Sequence, residues 1–277
     1  MMLVNGVPQA LISVSDRGLA YGDGLFETIA LVDGVALHWE RHLKRLASGA
    51  DRLGISAPSP SRWDQDLSCV LGATGARRGV LKLVLTRGDG GRGYAPPEGV
   101  LPTRIVNLYS WPDWPAERYS AGVTVMLCQT RLAQNPVLAG IKHLNRLEQV
   151  LAASEVARHG ADDGLMCALD GRLIESTRSN VFLVYGQRLV TPRIDDCGIA
   201  GVMRDVLIDC LPDAGFEVEQ STVEIAELAR CDEIFLTNSL IGLWPVRQIL
   251  GALPRLMGPS SLTSSIRLLL AKRNLLP

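Results

Sequence analysis

The sequence lacks the features that mark secreted, membrane-spanning and nucleic-acid-binding proteins. The formal net charge of its 277 residues is -1, so it has no strongly basic surface for nucleic acid or an anionic membrane. No run of about 18 apolar residues is present to span a bilayer. The first residues, Met1-Met2-Leu3-Val4-Asn5-Gly6, show no basic region followed by an apolar block. We therefore expect a cytoplasmic protein without a secretory signal.

Paired cysteines are also missing. The six cysteines are scattered and form no C-x-x-C pair, a pattern typical of reduced, mostly buried thiols rather than of disulfides or a zinc site. What remains is an ordinary globular composition, with 47% hydrophobic and 21% charged residues. A chain of this length can bury one large core or two smaller ones. We expect no bound metal.

Short apolar runs between turn residues predict a mixed α and β (α+β) chain in two domains. The predicted strands cover residues 3–6, 24–32, 79–86, 123–128, 165–169, 180–184 and 233–236, and the predicted helices cover 38–53, a segment opening at Lys142, and 202–211. The Pro- and Trp-rich stretch at 110–115 interrupts any regular element. We therefore place a small N-terminal α+β domain at 1–110, an interdomain linker at 111–119 and a larger C-terminal domain at 120–277.

Lys142 is the most informative single residue. It precedes an apolar stripe at helical spacing, which consists of Leu144, Leu147 and Leu151, widened by Val150 and Ala157. The pattern predicts a partly buried helix with Lys142 at its entrance. Desolvation there lowers the pKa of an amine and makes it a usable nucleophile that can form a Schiff base. The alternative is a solvated lysine at a helix end.

Two motif matches do not predict a site. The stretch from Gly88 to Gly93 satisfies G-x-G-x-x-G, but Tyr94-Ala95-Pro96-Pro97 continues as a loop where a dinucleotide site needs a helix. His38 and His42 have the i, i+4 spacing of metal ligands. The glutamate between them is misplaced for a zinc protease, and a helix surface of mixed charge explains these residues better.

Four separated motifs together resemble one known family. They are Ser15-Asp16-Arg17-Gly18-Leu19-Ala20-Tyr21-Gly22-Asp23-Gly24-Leu25-Phe26-Glu27-Thr28, Gly140-Ile141-Lys142-His143-Leu144-Asn145-Arg146, Glu175-Ser176-Thr177-Arg178-Ser179-Asn180-Val181-Phe182 and Gly201-Val202-Met203-Arg204. The chain resembles the fold-type IV pyridoxal-phosphate enzymes, which include branched-chain and D-amino-acid aminotransferases and 4-amino-4-deoxychorismate lyase. The resemblance implies a two-domain fold and pyridoxal 5'-phosphate as cofactor.

The resemblance also implies which residues hold the cofactor. Lys142 would carry it, and Glu175 would keep its ring nitrogen protonated, which the cofactor needs to act as an electron sink. The glycine-rich turn before residue 202 leads into a helix N-terminus, where backbone amides bind phosphate. The implied phosphate and cofactor contacts are the amides of Val202 and Met203, the charge of Arg45, the hydroxyl of Ser239, and Asn145 in a role that the sequence leaves open.

Three details favour a lyase over an aminotransferase. By resemblance to the lyase, Thr28 lies beside the catalytic lysine and assists proton transfer, although the preference of threonine for strands explains the residue equally well. The lysine motif also resembles the lyase version. The glycine-rich loop from Arg87 to Tyr94 offers Arg87, Arg92 and Tyr94 to a substrate with two carboxylates, for which arginine is a natural bidentate partner.

These inferences predict a specific reaction. The protein would convert 4-amino-4-deoxychorismate into 4-aminobenzoate and pyruvate in folate biosynthesis, with Lys142 removing the ring proton and either Thr28 or Lys142 protonating the leaving group. The resemblance further implies a homodimer, and coupling to the upstream synthase is possible. The alternatives are a fold-type IV aminotransferase and a non-catalytic carrier or ligand-binding module.

Overall fold

Alternating apolar residues in the first part of the chain build an antiparallel sheet. The computed structural model describes residues 1–251, 255–256 and 261–277. The elements before residue 110 are β1 (Met2–Val4), β2 (Val7–Pro8), α1 (Arg17–Tyr21), β3 (Gly24–Val32), β4 (Val35–Ala36), α2 (Trp39–Leu53), α3 (Pro60–Thr74), β5 (Gly79–Thr86) and β6 (Thr103–Tyr109). The strand order is β2-β1-β6-β5-β3-β4, and every pair is antiparallel.

The two faces of β3 differ in character. Leu25 and Ile29 point to one face and are buried, and α2 packs there with Leu43 and Leu46. Burial of each such side chain contributes roughly 1.5–3 kcal/mol. On the other face Phe26, Thr28 and Val32 are only half-buried, so the strand joins a packed core to a surface that can meet a ligand.

The rest of the chain forms a second sheet with helices against it. Its elements are α4 (Glu117–Ser120), β7 (Val123–Leu127), α5 (Leu147–His159), β8 (Asp163–Cys167), β9 (Leu173–Ser176), β10 (Asn180–Tyr185), β11 (Arg188–Pro192), α6 (Val202–Cys210), β12 (Glu217–Ser221), β13 (Glu233–Asn238), β14 (Gly242–Leu250), β15 (Arg255–Leu256) and α7 (Ser261–Lys272). Short 3-10 helices lie at Pro212–Ala214 and Ile225–Ala229. Across the described residues the strand order is β12-β11-β10-β13-β14-β7-β8-β9, with β15 paired to β14.

Both faces of this second sheet are covered, so its central strands are apolar without alternation. On one face the rings of Phe182 and Phe235 stack with centroids 5.0 Å apart, and side chains of α6 and α7 pack against them. On the other face Trp244 is fully buried, and Trp114 meets its ring edge-on at 5.2 Å. Core packing therefore accounts for these two tryptophans.

By its contacts the chain divides into two compact units. The first unit contains Met1–Pro112, Ile141–Asn145 and Pro277, and the second contains Asp113–Gly140 and Arg146–Leu276. The predicted domains at 1–110 and 120–277, with a linker at 111–119, stay a prediction. The segment that carries Lys142 groups with the first unit, whereas the sequence analysis assigned it to the C-terminal domain. Within the described residues, no helix has the length and apolar content that crossing a membrane requires.

The mixed α and β fold predicted from the sequence is confirmed. The strands predicted at 24–32 and 79–86 are β3 and β5 with the same bounds, and the helix predicted at 38–53 begins one residue later. The other predicted strands and the helix at 202–211 lie within a few residues of observed elements. The exception is the helix predicted to open at Lys142.

Candidate active site

Lys142 lies in the irregular segment before α5, which begins only at Leu147. The N–H of Phe26 donates to the carbonyl of Lys142 at 3.0 Å, and the N–H of Leu144 donates to the carbonyl of Gly24 at 2.9 Å. The segment thus pairs with the start of β3. The predicted position of Lys142 at a helix entrance is therefore wrong, because its backbone bonds with a strand instead of forming a helical turn.

The amine of Lys142 lies against an aromatic ring. Its Nζ is 4.3 Å from the ring centroid of Phe26, a cation–π distance. Thr28 follows Phe26 by two residues and therefore points to the same face of β3, where it is half-buried. Phe26 and Thr28 therefore lie on one face of β3, and the amine of Lys142 lies against the ring of Phe26.

The opposite face of β3 holds a buried charged cluster that the sequence analysis missed. Glu27 and His42 are fully buried, and Nδ1 of His42 lies 2.6 Å from Oε2 of Glu27. Arg45 donates from Nε to Oε1 of Glu27 at 2.8 Å and from Nη2 to Oε2 at 2.5 Å. The interpretation of His42 as part of a helix surface of mixed charge is therefore wrong. A glutamate at a core-facing position of an alternating strand was the available signal, since a buried carboxylate requires partners.

Electrostatics fix the protonation of this cluster. Burial alone would raise the pKa of Glu27, but the charge of Arg45 and hydrogen bonds from His42 and Arg45 outweigh it and lower that pKa to about 2. Burial lowers the pKa of His42, against the opposing effect of Glu27. The cluster therefore holds a carboxylate, a guanidinium and a neutral imidazole at neutral pH. Arg45, predicted to bind phosphate, is thereby held in a fixed orientation with 13% of its side chain exposed.

The loop after β5 is anchored by ion pairs. Arg87 donates to both carboxylate oxygens of Asp23 and to the carbonyls of Leu53 and Gly54, which uses four of its five N–H groups. Burial opposes ionisation of Asp23, but its bonds to Arg87 and Arg17 lower its pKa. Most of the hydrogen-bonding capacity of Arg87 is therefore used within the protein, where it anchors the loop.

Buried Arg17, which the sequence analysis did not single out, fixes the far end of this loop. It donates to the carbonyls of Gly93 and Tyr94 at 3.1 and 2.7 Å and to Asp23 at 2.9 Å. The side chains of Arg92 and Tyr94 are exposed. The loop therefore presents two of its three predicted substrate contacts from an anchored backbone.

Asn145 belongs to the first unit and contacts the end of α1 there. Its Nδ2 donates to the carbonyl of Gly22 at 3.1 Å, and Gly22 ends α1 with a positive φ of 65°. A Cβ at Gly22 would lie 2.6 Å from Oδ1 of Asn145, so the glycine permits this contact. The predicted role of Asn145 at the cofactor stays a prediction.

In the second unit, Glu175 lies on β9 with only 4% of its surface exposed. Its Oε2 accepts the N–H of Ile199 at 2.9 Å, and its Oε1 lies 3.4 Å from Nε2 of Gln149. Burial lowers the pKa of Arg146, and the negative charge of Glu175 opposes that shift. Glu175 is thus a buried, oriented carboxylate, as a partner for a protonated ring nitrogen must be. The sequence offered no local signal for Gln149 or Ile199.

The glycine-rich turn leads into α6 as predicted. Gly201 is the N-cap of α6, no side chain caps the helix there, and the first helical residues are Val202 and Met203. Nδ2 of Asn180 donates to the carbonyl of Ile199 at 2.8 Å, and a Cβ at Gly201 would lie 2.0 Å from Oδ1 of Asn180. Asn180 thus packs closely against the turn that leads into α6, and a helix N-terminus of this kind favours an anion.

Ser239 lies in the turn after β13. The side chain of Asn238 shapes that turn, because its Oδ1 accepts the N–H groups of Leu240 and Ile241 at 2.8 and 2.9 Å. Ser239 is half-buried. Its predicted bond to phosphate stays a prediction.

The donor sets of both units suit pyridoxal phosphate. The first unit offers an amine beside an aromatic ring, and the second offers a buried carboxylate and a helix N-terminus without a side-chain cap. These are the groups that a Schiff base, a protonated ring nitrogen and a phosphate require. The described residues contain no cluster of three His, Cys, Asp or Glu that could hold a metal ion.

Comparisons with known proteins agree with this geometry. The family model for amino-transferase class IV matches residues 24–249. Aminodeoxychorismate lyase of Vibrio harveyi is 35% identical over 250 residues, which are 90% of this chain and 91% of the relative. A putative branched-chain-amino-acid aminotransferase of Methanocaldococcus jannaschii is 32% identical over 243 residues, 87% of this chain and 84% of the relative. The crystal structure of 4-amino-4-deoxychorismate lyase from Pseudomonas aeruginosa superposes with a TM-score of 0.92 at 43% identity, covering 98% of each chain. The predicted resemblance is thereby confirmed, and the chain belongs to the class IV aminotransferase family.

Proposed function

We propose that this protein is a pyridoxal-phosphate-dependent aminodeoxychorismate lyase that converts 4-amino-4-deoxychorismate into 4-aminobenzoate and pyruvate, a step of folate biosynthesis. The observation that carries the proposal is the amine of Lys142, 4.3 Å from the ring of Phe26, with Thr28 on the same face of β3. The choice of reaction is supported by lyase relatives at 35% and 43% identity over nearly the whole chain.

Several residues share the proposed binding of the cofactor. Lys142 would attach it, Glu175 would pair with its ring nitrogen, and the amides of Val202 and Met203 would bind its phosphate. Arg45, Ser239 and Asn145 are further proposed contacts. When bound, pyridoxal phosphate supplies an electron sink for the charge that develops when a proton leaves the substrate. A buried Glu175 suits this role because its charge is screened little by water.

The side chains of the first unit move the protons. The Nζ of Lys142 removes the proton from the ring carbon that bears the amine. The bond between the adjacent ring carbon and the enolpyruvyl oxygen then breaks, and the ring becomes aromatic. Enolpyruvate gains a proton on its methylene carbon and leaves as pyruvate. Either the hydroxyl of Thr28 or the newly formed ammonium of Lys142 supplies that proton.

The loop after β5 is the proposed contact for substrate carboxylates. The exposed Arg92 and Tyr94 are held there by Arg17, whose bonds to the loop carbonyls fix the backbone. Arg87 retains one N–H group for another partner, so we assign it chiefly to positioning the loop.

A homodimer is the proposed assembly. The start of α5 exposes three apolar side chains at helical spacing: Leu147, Val150 and Leu151 are 77%, 57% and 58% exposed. The sequence analysis expected this helix to be partly buried, and a second copy is the partner that would cover its apolar stripe. A Leu151→Glu variant that elutes as a monomer in gel filtration would support this interface. Cytoplasmic location and coupling to the upstream synthase remain further proposals.

The test is the release of both products by the purified protein from enzymatically generated 4-amino-4-deoxychorismate, with and without added pyridoxal phosphate. Equimolar 4-aminobenzoate and pyruvate support the lyase. Lys142→Ala should lose turnover, whereas Lys44→Ala on the exposed face of α2 should retain it. Undiminished turnover by Lys142→Ala would refute the mechanism.

The competing function is a fold-type IV aminotransferase, favoured by the 32% identity to the aminotransferase of M. jannaschii. It predicts that a branched-chain or D-amino acid alone converts the cofactor to its amine form and releases a keto acid. Cofactor binding without either activity would instead indicate a carrier.

A further inference from the structure

A second amine lies on the face of the first sheet that carries Thr28. Lys82 of β5 is the direct cross-strand partner of Thr28, and its Nζ is 5.6 Å from the ring centroid of Phe26. The ring of Phe26 therefore contacts two amines, since the Nζ of Lys142 is 4.3 Å from the same centroid. The sequence analysis did not consider Lys82.

Lys82 differs from the arginines of this unit that are withdrawn from water. Each of the four arginines in this class has a carboxylate partner: Arg17 and Arg87 pair with Asp23, Arg45 pairs with Glu27, and Arg104 pairs with Asp66. In the part of the chain that the structure describes, Lys82 is half-buried and forms no ion pair, and its cross-strand neighbours, Thr28 and Asn107, are neutral. Withdrawing an ammonium from water without a partner is unfavourable.

A ligand with a carboxylate would provide the missing partner. We propose that Lys82 binds a carboxylate of the substrate and thereby sets specificity for a dianionic ring. This inference rests on the proposed function. The flat face of Phe26 lies under the reacting region, Lys142 acts on the ring carbon that bears the amine, and Lys82 holds an acidic substituent of the same ring.

The size of the effect follows from the type of contact. A hydrogen bond to a charged group contributes about 1.5–3 kcal/mol, which corresponds to a tenfold to roughly 150-fold change in affinity. Because this contact exists before and during the reaction, its loss raises KM more than it lowers kcat.

The experiment compares wild type with Lys82→Met, Lys82→Arg and the exposed control Lys44→Met. It measures KM and kcat for 4-amino-4-deoxychorismate, and the inhibition constant of chorismate, a dicarboxylate with a hydroxyl in place of the reacting amine. We expect Lys82→Met to raise KM and the inhibition constant by at least tenfold, with kcat within about threefold of wild type. Lys82→Arg should restore most of the affinity, and Lys44→Met should resemble wild type.

The other outcomes overturn the proposal in distinguishable ways. If Lys82→Met lowers kcat and shifts its pH profile while chorismate binds normally, Lys82 acts on Lys142 through charge and does not bind substrate. If all constants are unchanged, Lys82 has no role in recognition. If wild type neither turns over the substrate nor binds chorismate, the proposed function fails together with this inference. Visible absorbance of the bound cofactor and thermal unfolding report whether each variant is folded. If Lys82→Met does not fold, the same constants measured for Lys82→Arg test the proposal.

Discussion

Replacing Glu27 by glutamine should destabilise the protein strongly while leaving its shape intact. Glutamine keeps an oxygen that can accept the hydrogen bond of His42, but it removes the negative charge opposite Arg45. The depression of the pKa of Glu27 from 4.5 to about 2 corresponds to about 3 kcal/mol of interaction that favours the carboxylate. Removing one partner of a buried ion pair costs about 3–5 kcal/mol. Because Arg45 is 13% exposed and can regain some water, we expect the lower end, about 3 kcal/mol.

Urea unfolding followed by tryptophan fluorescence measures this loss of stability. An unchanged m-value would show that the surface area exposed on unfolding is the same in the variant and in wild type. The matched control is Glu98→Gln, an exposed glutamate of the same unit, which should change stability by less than about 0.5 kcal/mol. A loss below about 1 kcal/mol for Glu27→Gln would refute the reasoning, because the carboxylate would then not be needed to neutralise Arg45.

The pH dependence gives a second check on the same cluster. The folded pKa of Glu27 is depressed, so its contribution is fully present above about pH 4.5 and is lost as the pH falls toward about 2. The pKa of His42 is also lowered by burial, so stability already declines once the pH falls below 6.5, where the unfolded imidazole takes up a proton. Wild type should therefore lose stability in two stages on acidification. Glu27→Gln should show a smaller second stage, because Asp23, Glu155 and Asp196, whose pKa values are also lowered, still contribute to it.

Three further substitutions test other parts of the site. Gly201→Ala places a Cβ 2.0 Å from a neighbouring amide oxygen, so it should cost about 1–3 kcal/mol and weaken cofactor binding, as measured by thermal unfolding and cofactor titration. Arg17→Met removes both donors to the loop after β5, so limited trypsin digestion should cut faster after the exposed Arg92. Gln149→Leu removes only a 3.4 Å bond to Glu175, together with an oxygen that has no partner among the described residues, so thermal unfolding should report a loss below about 1 kcal/mol.

The elements that the sequence predicted well are those with a local pattern. The strands β3 and β5 alternate in burial over residues 25–29 and 81–85, and α6 follows a glycine-rich turn. The helix α3 was missed although Ser59 and Pro60 stand at its start, a combination that favours a helix N-terminus. The start of α3 is therefore encoded locally in the sequence.

The segment around Lys142 could not be predicted from its own residues. Leu144, Leu147 and Leu151 fit a helical stripe, yet Leu144 bonds with β3, while Leu147 and Leu151 are exposed. The pairing depends on residues far away in the chain, which local periodicity does not register. The same holds for Lys82, whose significance depends on its register opposite Thr28.

Motifs predict residues of the candidate site where the motif names the chemistry, and give no prediction for residues that act through another residue. Lys142 and Glu175 belong to motifs that resemble a known family. His42, Arg17 and Gln149 support other side chains, and a sequence gives no sign of which side chain will lie beside which. Supporting residues therefore emerge only once the fold brings distant positions together.

The pairing of Lys142 with β3 has a consequence for biosynthesis. A nascent chain that has reached Pro112 contains every strand of the first sheet but leaves the Gly24–Phe26 edge of β3 without its partner. An unpaired strand edge is a template for association with other chains. Since chains are made and begin to fold from the N-terminus, this edge stays open until the segment that carries Lys142 leaves the ribosome. The segment that carries Lys142, the proposed catalytic residue, therefore also covers the strand edge through which a growing chain can aggregate.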